Sequence, residues 1–201
     1  MKLIVGVGNP GPRYRDTRHN VGFVVAEELA RRRGLAFASA PANALIARTP
    51  ASADGLIIAK PMTYMNRSGE AAAALQRFYR VVLEEMLVVI EDVNLPLGRL
   101  RARAQGASGG HNGLRSIIEA LGTEAFPRLR VGVGRGDERR ELGDYVLSRF
   151  DPEEREAIEA AVVRATDAVE LFVTEGIDAI MNRYNQKHDA GGADADADTP
   201  D

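Results

Sequence analysis

Short apolar runs alternate along the chain with stretches whose apolar residues recur at helical spacing, and this alternation predicts an α/β fold. The runs Lys2–Val7, Ala44–Thr49, Leu56–Lys60, Met86–Ile90, Leu100–Arg103 and Leu129–Val133 are short and rich in branched apolar residues, so they predict strands. Helical spacing predicts helices over Val21–Arg33, Ser68–Tyr79 and Asn112–Leu121, with two more near the C-terminus. Gly34 stands where a helix C-terminus favours glycine. Asp151-Pro152-Glu153-Glu154 reads as an N-cap, a proline at the first helical position and a capping-box acid. Beyond it, Ile158, Ala161, Val162, Ala165, Val169 and Phe172 form a core-facing stripe. From about Lys187 the pattern gives way to Gly, Ala and Asp, which cannot bury apolar surface. The expected organisation is one domain over residues 1–186 and a disordered acidic tail over 187–201.

Composition narrows the class. A chain of 201 residues with 45% hydrophobic and 27% charged positions is long enough for one real core. No apolar run is long enough to span a bilayer. The first apolar run is broken at once by Gly, Asn and Pro, unlike the core of a signal peptide. Cysteine is absent, which removes disulfides, thiolate metal ligands and a Cys nucleophile. These features point to the cytoplasm and to no membrane partner.

Charge adds a location. The net charge is −3, but residues 187–201 carry five Asp and one Lys, so residues 1–186 sum to +1. Between Arg99 and Arg140 nine Arg face four acidic residues. A basic region on a near-neutral body suits phosphate, although a solvated arginine surface has the same composition.

The opening MKLIVGVGNPGPRYRDTRHNVG places Gly6, Gly8 and Gly11 in the spacing of a dinucleotide-binding turn. That reading, a nicotinamide-dependent oxidoreductase, needs a helix to start at the turn and aim its N–H groups at a pyrophosphate. Pro10 and Pro12 remove two N–H donors, and apolar helical spacing starts only at Val21. A strand, an ordered polar loop and then a helix fit better. The loop carries Asn9, Tyr14, His19 and Asn20. Three further polar clusters are Lys60–Gly69, Ile90–Pro96 and Gly106–Gly113. Most of them follow strands, where α/β sheets gather ligands. Taken singly, each is equally a turn or a helix entry. His19 and His111 are the only histidines outside the tail, so a zinc site is not expected.

The segments GNPGPRYRDTRHNVG, KPMTYMNRSG and GGHNGLRSI, in this order, resemble the signature segments of bacterial peptidyl-tRNA hydrolase, in register from Lys2 to about Asn185. The resemblance implies a monomeric α/β enzyme with a mixed, twisted central β-sheet flanked by helices, and no cofactor. It implies hydrolysis of the ester that joins a peptide to the terminal ribose of tRNA, recycling tRNA from peptides dropped by the ribosome. With no Ser or Cys elbow, water activated by a neutral imidazole is the natural nucleophile. The resemblance puts His19 at the base position, with a carboxylate beside it to fix its tautomer. Relatives usually carry Asp there. Here the register from Asn66 to Asn112 falls on Glu91, and Asn94 stands where a second Asp is common. Adjacent residues of an extended segment point opposite ways, so Glu91 is the expected partner and Asp92 the alternative.

By the same resemblance Asn9 contacts the peptide side and helps distinguish blocked from free aminoacyl groups, while Asn66 and Asn112 contact substrate. Tyr14 and Tyr64 offer flat faces for the terminal nucleotide, and Met65 is an apolar wall beside them. Arg103 and Arg130 match the two basic positions that clamp the tRNA 5′-phosphate. His111 is expected to be structural or positioning. The rival within the fold is a non-catalytic nucleic-acid binder, which the retained Asn9, His19, Asn66 and Asn112 speak against.

Overall fold

The computed structural model describes residues 1–50, 55–136 and 141–186. The expected tail over 187–201 lies outside the described residues. The strands are β1 (Lys2–Gly6), β2 (Ala38–Ala40), β3 (Ala44–Arg48), β4 (Leu56–Pro61), β5 (Met86–Asp92), β6 (Leu100–Arg103) and β7 (Arg128–Gly132). The helices are α1 (Val21–Arg32), α2 (Ser68–Phe78), α3 (Asn112–Leu121), α4 (Leu142–Val146), α5 (Arg155–Glu175) and α6 (Ile177–Tyr184). Every expected strand and helix is present, with ends displaced by at most two residues. The capping box at Asp151 and Glu154 forms, although its first turn is 3-10 and α5 proper starts at Arg155. Two elements lie outside the sequence expectations. β2 is three residues of partly exposed edge, and α4 is a five-residue helix with one buried side chain, Tyr145.

The strands form one mixed sheet in the order β2-β3-β4-β1-β5-β7-β6. β1 pairs in parallel with both β4 and β5, and β5 pairs in parallel with β7. β3 and β6 run antiparallel to their neighbours toward the two edges. Side chains alternate across the sheet, and each face has its own core. On one face Ile4, Ile58, Leu87 and Val89 pack with Val25 and Leu29 of α1 and Val169 and Phe172 of α5. On the other Leu3, Val5, Val88 and Ile90 pack with Leu75 of α2 and Leu114 and Ile117 of α3.

This layering creates the crevice. The adjacent strands β1 and β4 lead to α1 and α2 on opposite faces of the sheet, so their following loops diverge at the carboxyl ends of the strands. Gly22 lets α1 begin directly against the sheet. A Cβ there would overlap the carbonyl oxygens of Val7 and Val89. The residues just before α1 are thereby pressed against the ends of β1 and β5.

Candidate active site

After β1 the chain does not enter a helix. It makes 3-10 turns at Pro12–Tyr14 and Arg18–Asn20, and only then does α1 begin. Gly6, Gly8 and Gly11 therefore aim no helix N-terminus at a phosphate, and the dinucleotide reading loses its structural requirement. The loop is held instead by a reciprocal amide pair. Asn9 N–H donates to Asn20 Oδ1 at 2.8 Å, and Asn20 Nδ2 donates to the Asn9 carbonyl at 3.0 Å. Asn9 Oδ1 in turn accepts the Met65 N–H at 2.7 Å, which ties the loop after β1 to the loop after β4. Asn9 Nδ2 keeps no partner among the described residues and is available at the cleft.

His19 lies in the second 3-10 turn, and β5 runs long enough to carry Glu91 beneath it. His19 Nδ1 contacts Glu91 Oε1 directly. Glu91 is 2% exposed and His19 12% exposed by side chain, so the pair is largely shielded from water. Burial pushes the Glu91 carboxyl up, but the His111 and His19 imidazoles beside it more than offset this and hold it at about 2. An ionised carboxylate only accepts, so the proton of a neutral His19 sits on Nδ1 and the lone pair on Nε2. His19 lines the cleft, and its Nε2 has no partner among the described residues.

The other Glu91 oxygen faces a second imidazole. His111 Nε2 is 3.1 Å from Glu91 Oε2. The contact is not aligned as a hydrogen bond, and neither of these buried atoms has another partner among the described residues. A buried polar atom left unsatisfied costs roughly 1–3 kcal/mol, so the small ring rotation that aligns them is favourable. His111 is also the N-cap of α3, where its Nδ1 accepts the Leu114 N–H at 3.1 Å. His19, Glu91 and His111 bring three donor atoms within 4.8 Å of one another. The set suits a metal ion poorly. Nδ1 of His111 is committed as an acceptor, so its proton is on Nε2 and no lone pair faces Glu91.

Asp92 points the other way, as alternation along β5 requires. It pairs with Arg130 Nη1 at 2.9 Å, and Arg130 Nη2 also donates to the Ala107 carbonyl at 3.1 Å. Beside this pair a 240 Å³ pocket is lined by Arg101, Arg103, Arg128 and Arg130. Arg128 is fully buried and is satisfied by the backbone carbonyls of Phe126, Gly106 and Glu124. Burial, with Arg130 and Arg103 close by, pushes its guanidinium down to about 10. The pocket gathers four guanidinium groups beside the single carboxylate of Asp92, a balance of charge that suits an anion.

A cleft of 410 Å³ brings together Asn9, His19, Tyr64, Met65, Asn66, Glu91, Asn112 and Arg130. Two of the expected residues lie outside it. Tyr14 reaches it only through an edge-to-face contact with Tyr64, ring centroids 6.5 Å apart. Arg103 lies in the adjoining anion pocket, and Arg130 lines both. A larger groove of 680 Å³ between α1 and α5 holds none of them.

Two contributors lie outside the sequence expectations. Leu142, Val146 and Leu147 form an apolar wall of the cleft from α4 and the residue after it. Arg18, 1% exposed, fixes that wall to the His19 turn. Its guanidinium donates to Ser148 Oγ at 2.8 Å, to the Arg149 carbonyl and to the Glu154 carboxylate, and lies over the Tyr145 and Phe150 rings. His111 contacts Glu91 as described above. The sequence marks His111 for a structural or positioning role, whereas Arg18 shows no signal there.

Comparison with known proteins agrees in extent. The family model described as peptidyl-tRNA hydrolase matches residues 3–191. A peptidyl-tRNA hydrolase of Symbiobacterium thermophilum is 50% identical over 92% of this chain and 98% of its own. One from Chloroflexus aggregans is 49% identical over 92% and 99%. The crystal structure of peptidyl-tRNA hydrolase from Acinetobacter baumannii superposes with a TM-score of 0.85 at 33% identity, covering 92% of this chain and 94% of that one.

Proposed function

Because the chain belongs to the peptidyl-tRNA hydrolase family and is therefore an ester hydrolase, we propose that it cleaves the bond between peptide and tRNA with His19 as general base. The observation that carries this reading is the contact between His19 Nδ1 and an ionised, buried Glu91, which leaves the Nε2 lone pair toward the cleft. Water held at Nε2 attacks the ester carbonyl while its proton passes to the imidazole. The tetrahedral adduct collapses, the carbonyl–ribose bond breaks, and the ribose oxygen takes the proton from the imidazolium. Glu91 orients the ring and stabilises the imidazolium between these steps.

The amides line the same cleft as His19, which supports a role for them around the acyl group. Asn9 Nδ2 is placed to read the peptide side. Asn66 and Asn112 are exposed at the cleft, where a side-chain N–H steadies a developing oxyanion. Tyr64, exposed and braced by Tyr14, offers a stacking face to the terminal nucleotide, with Met65 as the apolar wall. Arg103 and Arg130 hold a tRNA phosphate in the adjoining pocket. No helix among the described residues is long and apolar enough to cross a membrane. The proposed setting is a cytoplasmic monomer acting on peptidyl-tRNA.

Purified protein should release the acyl group from an N-acetylated aminoacyl-tRNA in a single turnover and spare the unblocked form. Binding without release would make the chain a non-catalytic RNA binder. Arg103→Ala with Arg130→Ala should weaken tRNA binding and flatten the slope of log K against log salt by about 1–2 in total. Arg130→Ala also unpairs Asp92, so Arg103→Ala alone gives the cleaner signal. An unchanged slope would remove the phosphate contact from the mechanism.

A further inference from the structure

The geometry points to His111 as a positioning residue that acts through Glu91: a neutral imidazole whose tautomer is locked by helix α3, so that it can only donate to the carboxylate. This rests on the reading of His19 as the base. Capping and donation use the two nitrogens of one ring for opposite purposes. As N-cap, His111 Nδ1 must keep a lone pair for the Leu114 N–H. The single proton of the neutral ring is then confined to Nε2, the atom facing Glu91 Oε2. The cap therefore selects the tautomer of the neutral ring that carries its proton on Nε2. Gly113 keeps this corner tight, because a Cβ there would press on Met65 Sδ and Val7.

Two consequences follow for catalysis. His19 contacts Oε1, and His111 Nε2 lies 3.1 Å from Oε2, a small ring rotation from donating to it, so the two rings together limit the rotation of a long, flexible side chain. The donor also draws charge from the carboxylate without bringing a formal charge. Few other charged groups surround the pair. Asp92 and Arg130 are paired to each other at 2.9 Å. The Arg18 guanidinium is turned away onto Tyr145 and Phe150. The loops after β1 and β4 bring Asn9, Tyr64, Met65 and Asn66 to the cleft, and of these only the Tyr64 phenol is titratable.

His111→Asn separates the two roles. Asparagine caps a helix N-terminus well through its side-chain oxygen but is too short to reach Glu91. The variant should melt at the parent's temperature, while kcat falls about 10-fold or more and KM holds. A cap alone, which Asn keeps, would leave kcat and KM both unchanged. His111→Ala should show the same kinetics with a lowered melting temperature. A parental kcat in His111→Asn, with His19→Ala inactive, would reduce His111 to a helix cap and leave the base assignment standing. Parental activity in His19→Ala would overturn the base assignment itself.

Discussion

His19→Ala is expected to lower kcat by about 10²–10⁴-fold, the range lost when a positioned general base is removed. KM should change little, because the ring works on a water molecule and makes no contact shared equally by the bound substrate and the transition state. The variant should fold. The backbone of the turn is held by its neighbours: Arg18 N–H donates to the Ser148 carbonyl at 3.0 Å, and Asn20 is paired with Asn9. Single-turnover release of peptide from an N-blocked aminoacyl-tRNA, run alongside a tRNA-binding measurement, checks both halves of the expectation. Release at the parental rate would show that another group activates the water.

The second large effect distinguishes two adjacent carboxylates. Glu91→Gln should cost on the order of 10²–10⁴-fold in kcat, and Asp92→Asn no more than several-fold. The change at Glu91 preserves shape but removes a charge held between two imidazole donors. A carboxamide presents one oxygen and one N–H group, so one imidazole meets a donor instead of an acceptor. If that imidazole is His19, its proton moves to Nε2 and the base is lost. Asp92 faces Arg130 across the sheet, and its loss is felt in tRNA binding before turnover. Comparing kcat for the two variants at saturating substrate decides the matter, and the reverse order would make Asp92 the partner.

What the chain reveals by inspection follows the range of each interaction. The stripe on α5 and the capping box before it depend on residues within a few turns, and both appear in the fold as expected. The strands are legible for the same reason, since each is a compact apolar run. β2 has no such run, and α4 is fixed by contacts from elsewhere: Tyr145 donates to the Val133 carbonyl at 2.9 Å and packs under Arg18. The partners of Arg18 lie 130 or more residues away, so nothing near it in sequence marks it as buried. The meeting of His19 with Glu91 spans 72 residues and depends on β1 and β5 lying side by side. Only the register of the family resemblance made it visible. The opening glycines carry the reverse lesson. Their spacing suggests a phosphate, yet Gly6 is small because the carbonyl of Gly22 lies against it. One composition serves two physical needs, and the chain alone does not separate them.

Arg18 joins the turn that holds His19 to the segment that forms the outer wall of the cleft, and the two are therefore hard to open separately. Any local unfolding that swings the imidazole out must strip the guanidinium from Ser148, Arg149 and Glu154, and any fraying of that segment exposes a buried cation. Breathing motions in this region are cooperative as a result, and the enzyme is spared a state in which His19 sits in an unwalled cleft.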